Sequence, residues 1–85
     1  MFGFQNEYAA IPEGMQLALL RYARDRMKPG GFVEALVSND LRNAVGRADQ
    51  GNAQFIGLYV LWLLNEAPAE CHGSFGNYSA WIAGK

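Results

Sequence analysis

Cys71 and His72 are the single cysteine and single histidine of the chain, and the one adjacent pair that suggests nucleophilic chemistry. Sequence neighbours seldom present a thiol and an imidazole to each other, and no spacing supplies a third group to orient the ring. A small apolar Cys tucked under a loop and a half-exposed His account for both. One Cys and one His also make no zinc set. The carboxylates offer no acid–base pair. On one continuous helix, the step from Asp40 to Asp49 is about two and a half turns, which sets them on roughly opposite faces. As N-caps of successive helices both are explained without catalysis. The residues therefore predict a protein that is not an enzyme, with no cofactor and no metal.

What remains is binding chemistry. The stretch from Asn39 to Asn52, NDLRNAVGRADQGN, sets amides, carboxylates and guanidiniums among small residues. It reads either as caps and intrachain pairs, such as Arg47 with Asp40 or Asp49, or as the polar wall of a pocket. In a pocket the amides read a base edge or peptide group and an Arg takes an anion. Asn39, Asp40, Arg47, Asp49 and Asn52 are the candidate ligand-binding residues, with Tyr59 and Trp62 as a stacking surface. A second concentration, Arg21, Tyr22, Arg24, Arg26 and Lys28, is a candidate patch for a protein partner. Six of the seven basic side chains fall within 21–47, a segment of net charge +3 in a chain of −1. They either suit the C-terminal end of a helix dipole or form an anion site for phosphates or an acidic protein face. The broad basic footprint of a duplex nucleic-acid binder is missing. Gly30-Gly31 alone is too little of a phosphate loop and reads as a helix–helix turn.

The elements that must position these residues are helical. Pro12 suits a first turn. Met15, Leu19, Tyr22, Ala23 and Met27 then recur at three- and four-residue steps until Lys28-Pro29-Gly30-Gly31. From Gly31, the residues Val33, Leu36, Val37, Leu41, Ala44, Val45 and Ala48 give an apolar face. Ser38-Asn39-Asp40 interrupts it, as a polar notch in one helix or a re-cap between two. Asp49 caps the next helix. Phe55, Ile56, Tyr59, Val60, Trp62 and Leu63 point to more than one of its faces, and Pro68 ends it. A buried strand at 54–64 is the competing reading, against which length and helical neighbours argue. Ser74 caps a last helix with Tyr78, Trp81 and Ile82 as its packing face. The expectation is an all-α, compact bundle of four or five short helices: a lead over 1–11 and one helical domain over 12–85. Its core would hold Leu19, Tyr22, Leu36, Val37, Leu41, Val45, Ile56, Tyr59, Leu63 and Trp81.

Eighty-five residues with 51% hydrophobic and 18% charged side chains exclude disorder, since soluble domains average about 25% charged. So small a domain has more apolar surface than one core hides, which predicts a homo-oligomer or a bound partner. Phe55, Tyr59 and Trp62 are the expected oligomer contacts. The start, MFGFQNEYAAIPEG, lacks the basic and apolar regions of a signal peptide. The apolar run 55–64 is half of the about 20 residues that a membrane span needs. Cysteine usage suits a reducing cytoplasm.

The order of certain residues resembles a family of short proteins from bacteriophages and other mobile elements. The pattern runs Tyr22, Pro29-Gly30-Gly31-Phe32-Val33, Ala35-Leu36-Val37, Asn39-Asp40-Leu41, Ala44, Arg47-Ala48-Asp49 and Asn52. It continues through 59–65, Pro68, Cys71-His72-Gly73-Ser74 and Trp81. It covers about residues 12–82 and leaves MFGFQNEYAA outside. His72 stands where the pattern has Trp. The resemblance implies a small product acting in the host cytoplasm, commonly an antagonist of host defence. As a sponge it would sequester a small anionic nucleotide signal. As a protein–protein inhibitor it would block a defence effector such as a CRISPR complex. A phage structural or DNA-metabolism accessory is the third implied role.

Overall fold

In the computed structural model, which describes residues 3–84, Pro12 opens the first helix from just outside it. Its carbonyl accepts from the Met15 and Gln16 amides, each at 2.9 Å. Helix α1 (Glu13–Asp25) buries Leu19, Tyr22 and Ala23, as their spacing predicts. Arg26 ends it at φ 58°, a left-handed conformation that costs a side-chain-bearing residue about 1–2 kcal/mol. Its guanidinium is tied down in return. Nη1 donates to the Trp81 carbonyl at 3.2 Å, and the group lies 3.6 Å over the Trp81 ring.

The polar notch is a full break. Helix α2 (Gly31–Val37) closes with Asn39 at φ 60°. The Asp40 amide reaches back to Ala35 O at 2.9 Å and the Asn39 amide to Leu36 O at 3.2 Å. Both spent carbonyls are thereby satisfied in a Schellman arrangement, with Asn in the place usually held by Gly. Asp40 then caps α3 (Leu41–Arg47), accepting from the Asn43 amide at 3.2 Å. Asp49 caps the single turn α4 (Gln50–Ala53), accepting from the Asn52 amide at 2.7 Å. Helix α5 (Ile56–Glu66) occupies the segment for which a strand was the competing reading. Ser74 caps α6 (Phe75–Ala83) through the Asn77 amide at 3.0 Å. Two 3₁₀ turns, Asn6–Ala10 and Ala69–Cys71, complete the fold. The bundle is all-α as expected. It has six helices among the described residues, because the break at Asn39 and the turn α4 divide the middle of the chain.

Hydrogen bonds fasten α6 and the segment that leads into it to the body. Tyr22 Oη donates to Cys71 O at 2.6 Å, and Trp81 Nε1 donates to Tyr22 O at 2.9 Å. Tyr78 Oη donates to Glu34 Oε1 at 3.1 Å, and the Gly73 amide to Val37 O at 2.8 Å. Desolvation pushes the Tyr22 hydroxyl well above its ordinary range, so it stays a donor.

One expectation about the core is corrected. Leu41 and Val45 are 65% and 55% exposed, not core; on α3 only Ala44 is buried. The left-handed residue at Asn39 restarts the helix on a new axis, so the face counted from α2 does not carry through. The lead over 1–11 is also seated on the domain, as far as it is described. Phe4 stacks on Trp62 with centroids 4.8 Å apart, and Trp62 Nε1 donates to Gly3 O at 2.7 Å. Tyr8 and Ile11 are buried in the common core. Among the described residues, no helix is long and apolar enough to cross a membrane.

Candidate functional site

Helices α2 and α3 meet at the Asn39 break, and the start of α6 lies against their open side. A cleft of about 270 Å³ forms there. Glu34 and Ser38 face it from α2, one helical turn apart; Asn43 and Arg47 face it from α3 at the same spacing. Asp40 lies between the helices and Phe75, 62% exposed, stands at the α6 side.

Arg47 is laid against the backbone of Gly31. A Cβ on Gly31 would come within 2.7 Å of its Nη1, so a side chain there would push the guanidinium aside. Among the described residues no carboxylate stands within ion-pair distance of Arg47, and the ion pair is Arg24 with Asp25 at 3.0 Å. Asn43 holds the Asp40 carboxyl below its usual range through side-chain and backbone hydrogen bonds, with smaller help from Arg47 and Arg42. The Asn43 Nδ2 bond to Asp40 Oδ2 is 2.6 Å. Glu34 accepts from Tyr78. Ser38 Oγ is buried without a hydrogen-bond partner. The cleft thus combines one guanidinium, two carboxylates, an amide, a hydroxyl and an aromatic edge.

Of the five residues expected to bind a ligand, Asp40 and Arg47 come together here, and the anticipated pairing of Arg47 with Asp40 or Asp49 does not form. Asn39 lies in a different, shallow groove with Leu36, Leu41, Ile56 and Val60. Asp49 is a cap, and Asn52 Oδ1 accepts from Tyr59 Oη at 2.7 Å, a packing role. Glu34, Ser38, Asn43 and Phe75 were not anticipated, although the two i, i+4 polar pairs were visible in the sequence.

Tyr59 and Trp62 are fully buried, so neither is a stacking surface nor an oligomer contact. The lead covers Trp62, while Phe32 and Phe55 pack around Tyr59 at 6.0 and 6.2 Å. Phe55 itself is half-buried. The basic patch contracts similarly. Tyr22 is buried, Arg24 pairs with Asp25 and Arg26 is held on Trp81. Arg21 and Lys28 stay exposed beside a small cleft at the α1–α2 junction.

Cys71 is buried, and desolvation, with a lesser push from Glu70, raises its thiol to about 12. At neutral pH it is a protonated thiol and not a nucleophile. Burial holds His72 below its ordinary range, opposed by a hydrogen bond to the Leu63 backbone. Its Nε2 is buried without a partner. No group of three or more metal-ligating side chains is assembled among the described residues. No protein-family model, curated protein or solved structure matches this chain.

Proposed function

We propose that the protein is a non-enzymatic binding protein that holds a small anionic ligand of nucleotide type in the α2–α3–α6 cleft. The observation that carries this reading is Arg47, a guanidinium set against Gly31 with no carboxylate of the described residues in ion-pair range. It is free to take a phosphate bidentately. Glu34 and Asp40 disfavour a bare anion. They select a ligand that brings hydrogen-bond donors beside its charge, as sugar hydroxyls and base amino groups do. Phe75, 62% exposed at the cleft, supplies apolar surface for a base. At about 270 Å³ the cleft lies just under the roughly 300–1,000 Å³ of typical ligand sites, which suits one nucleotide held partly outside. The resemblance to short phage proteins extends the reading to a counter-defence sponge that sequesters a nucleotide immune signal in the host cytoplasm.

A thermal-shift screen of cyclic and linear nucleotides tests it. Ligand at 100 times its Kd adds about 2.7 kcal/mol. In a domain of this size each kcal/mol raises Tm by about 4–8 °C. The shift should vanish in Arg47→Gln. A panel that leaves Tm unchanged overturns the reading.

A second reading, favoured by a separate observation, is blockade of a protein partner or self-association. Leu41 and Val45 on α3 and Val60 and Leu64 on α5 are exposed apolar side chains, and Leu41 and Val60 share one groove. For an oligomer these exposed residues are better-placed contacts than the buried Tyr59 and Trp62. Light scattering at tens of micromolar distinguishes the cases: a dimer that Leu64→Asp dissociates supports self-association through this face.

A further inference from the structure

We propose that the α1–α2 junction is a second binding site, which takes an acidic segment of a protein partner by one of its apolar side chains. The inference is independent of the Arg47 cleft. Of the four cations between Arg21 and Lys28, the fold consumes two: Arg24 is paired with Asp25, and Arg26 is stacked on Trp81. Arg21 and Lys28 remain exposed, and both line a cleft of about 190 Å³. Its walls are largely apolar: Ala18, Pro29, Val33 and Met27, which is 44% exposed.

Volume, lining and charge together set the occupant. The cleft is well below the roughly 300 Å³ at which pockets begin to hold whole small ligands, so it receives a group of side-chain size. An unbranched thioether wall adapts to whatever apolar shape enters. Two exposed cations at the edge of such a hollow give little to a free anion, which keeps its hydration there. They add more where an apolar contact has already fixed the partner and carboxylates on either side fall opposite them. The segment 21–47 carries net charge +3, which supplies the complementary field for an acidic chain. An anionic membrane is a poorer match, because polybasic lipid-binding clusters hold about 4–8 cations.

The test is a titration of the ¹⁵N-labelled protein, followed by amide chemical shifts. The probe is an acetylated, amidated decapeptide of alternating leucine and aspartate; the control replaces aspartate by asparagine. The acidic peptide should move the amides of Ala18, Met27 and Val33, and added salt should weaken the effect. Arg21→Gln with Lys28→Gln should bind about tenfold more weakly, while the charge-keeping pair Arg21→Lys with Lys28→Arg retains binding. Both positions carry exposed side chains, and an unchanged circular dichroism spectrum confirms that the variants fold. Equal binding of the neutral control, no shift at millimolar peptide, or shifts elsewhere on the molecule overturns the proposal. So does a preference for phosphatidylserine vesicles at these same residues.

Discussion

His72 carries its imidazole into a place where one ring nitrogen has no partner, and that sets a pH dependence. Burial holds its folded-state pKa below the ordinary 6.5, so the unfolded chain takes up the proton first. The stability due to the neutral ring is complete above pH 6.5 and is lost as pH falls towards the folded value. The carboxyls of Asp25 and Asp40, held below 3.8, titrate further down. Melting curves from pH 7.5 to 5.5 should therefore show Tm falling, and His72→Phe should flatten that slope. An unchanged slope would place the ring in water. Tyr22 makes a second prediction of this kind. Tyr22→Phe leaves the buried Cys71 carbonyl without its 2.6 Å donor and should cost about 1–3 kcal/mol in urea denaturation. The caps Asp40, Asp49 and Ser74 were legible in the sequence because a cap is a local matter of three residues. The partner of Arg26, Trp81, lies far along the chain and gave no such signal.

Helix α3 shows where helical periodicity stops being a guide. Read as one face from Val33 to Ala48, the pattern puts Leu41 and Val45 in the core. The left-handed Asn39 turns the axis, and Ala44 becomes the inward residue. Val45→Ser should accordingly change stability by no more than about 0.5 kcal/mol. Leu63→Ala on α5 should cost about 2–5 kcal/mol, since that side chain is buried. Equal losses for the two would restore the continuous face. The contact between α2 and α3 carries a further expectation. A Cβ at Gly31 meets the mobile end of Arg47, so Gly31→Ala should keep the fold yet displace the guanidinium. A nucleotide bound in the cleft would then be weakened with Tm of the free protein nearly unchanged.

At the scale of the molecule, the surplus of apolar surface in the sequence is real, but its place is different. The all-round apolar helix α5 pointed to a partner over Tyr59 and Trp62. Residues 3–11 supply much of that cover from within the chain, through Phe4 and the Trp62 bond to Gly3 O. The segment had no helical period to announce this role. Among the large apolar side chains that stay exposed, Leu41 of α3 and Val60 of α5 meet in one groove, which only the three-dimensional arrangement assembles. The cleft was half legible for the same reason. Asp40 and Arg47 lie within one polar run, whereas Glu34 and Phe75 join them through the packing of α2 and α6. The central claim, that Arg47 and its neighbours form a ligand site, is tested most directly by adding a panel of cyclic and linear nucleotides to the ¹⁵N-labelled protein. The account predicts saturable amide shifts at Gly31, Ser38, Asn43, Arg47 and Phe75 that Arg47→Gln abolishes. Spectra that stay unchanged at millimolar nucleotide, or shifts confined to the Leu41–Val60 groove, would contradict it.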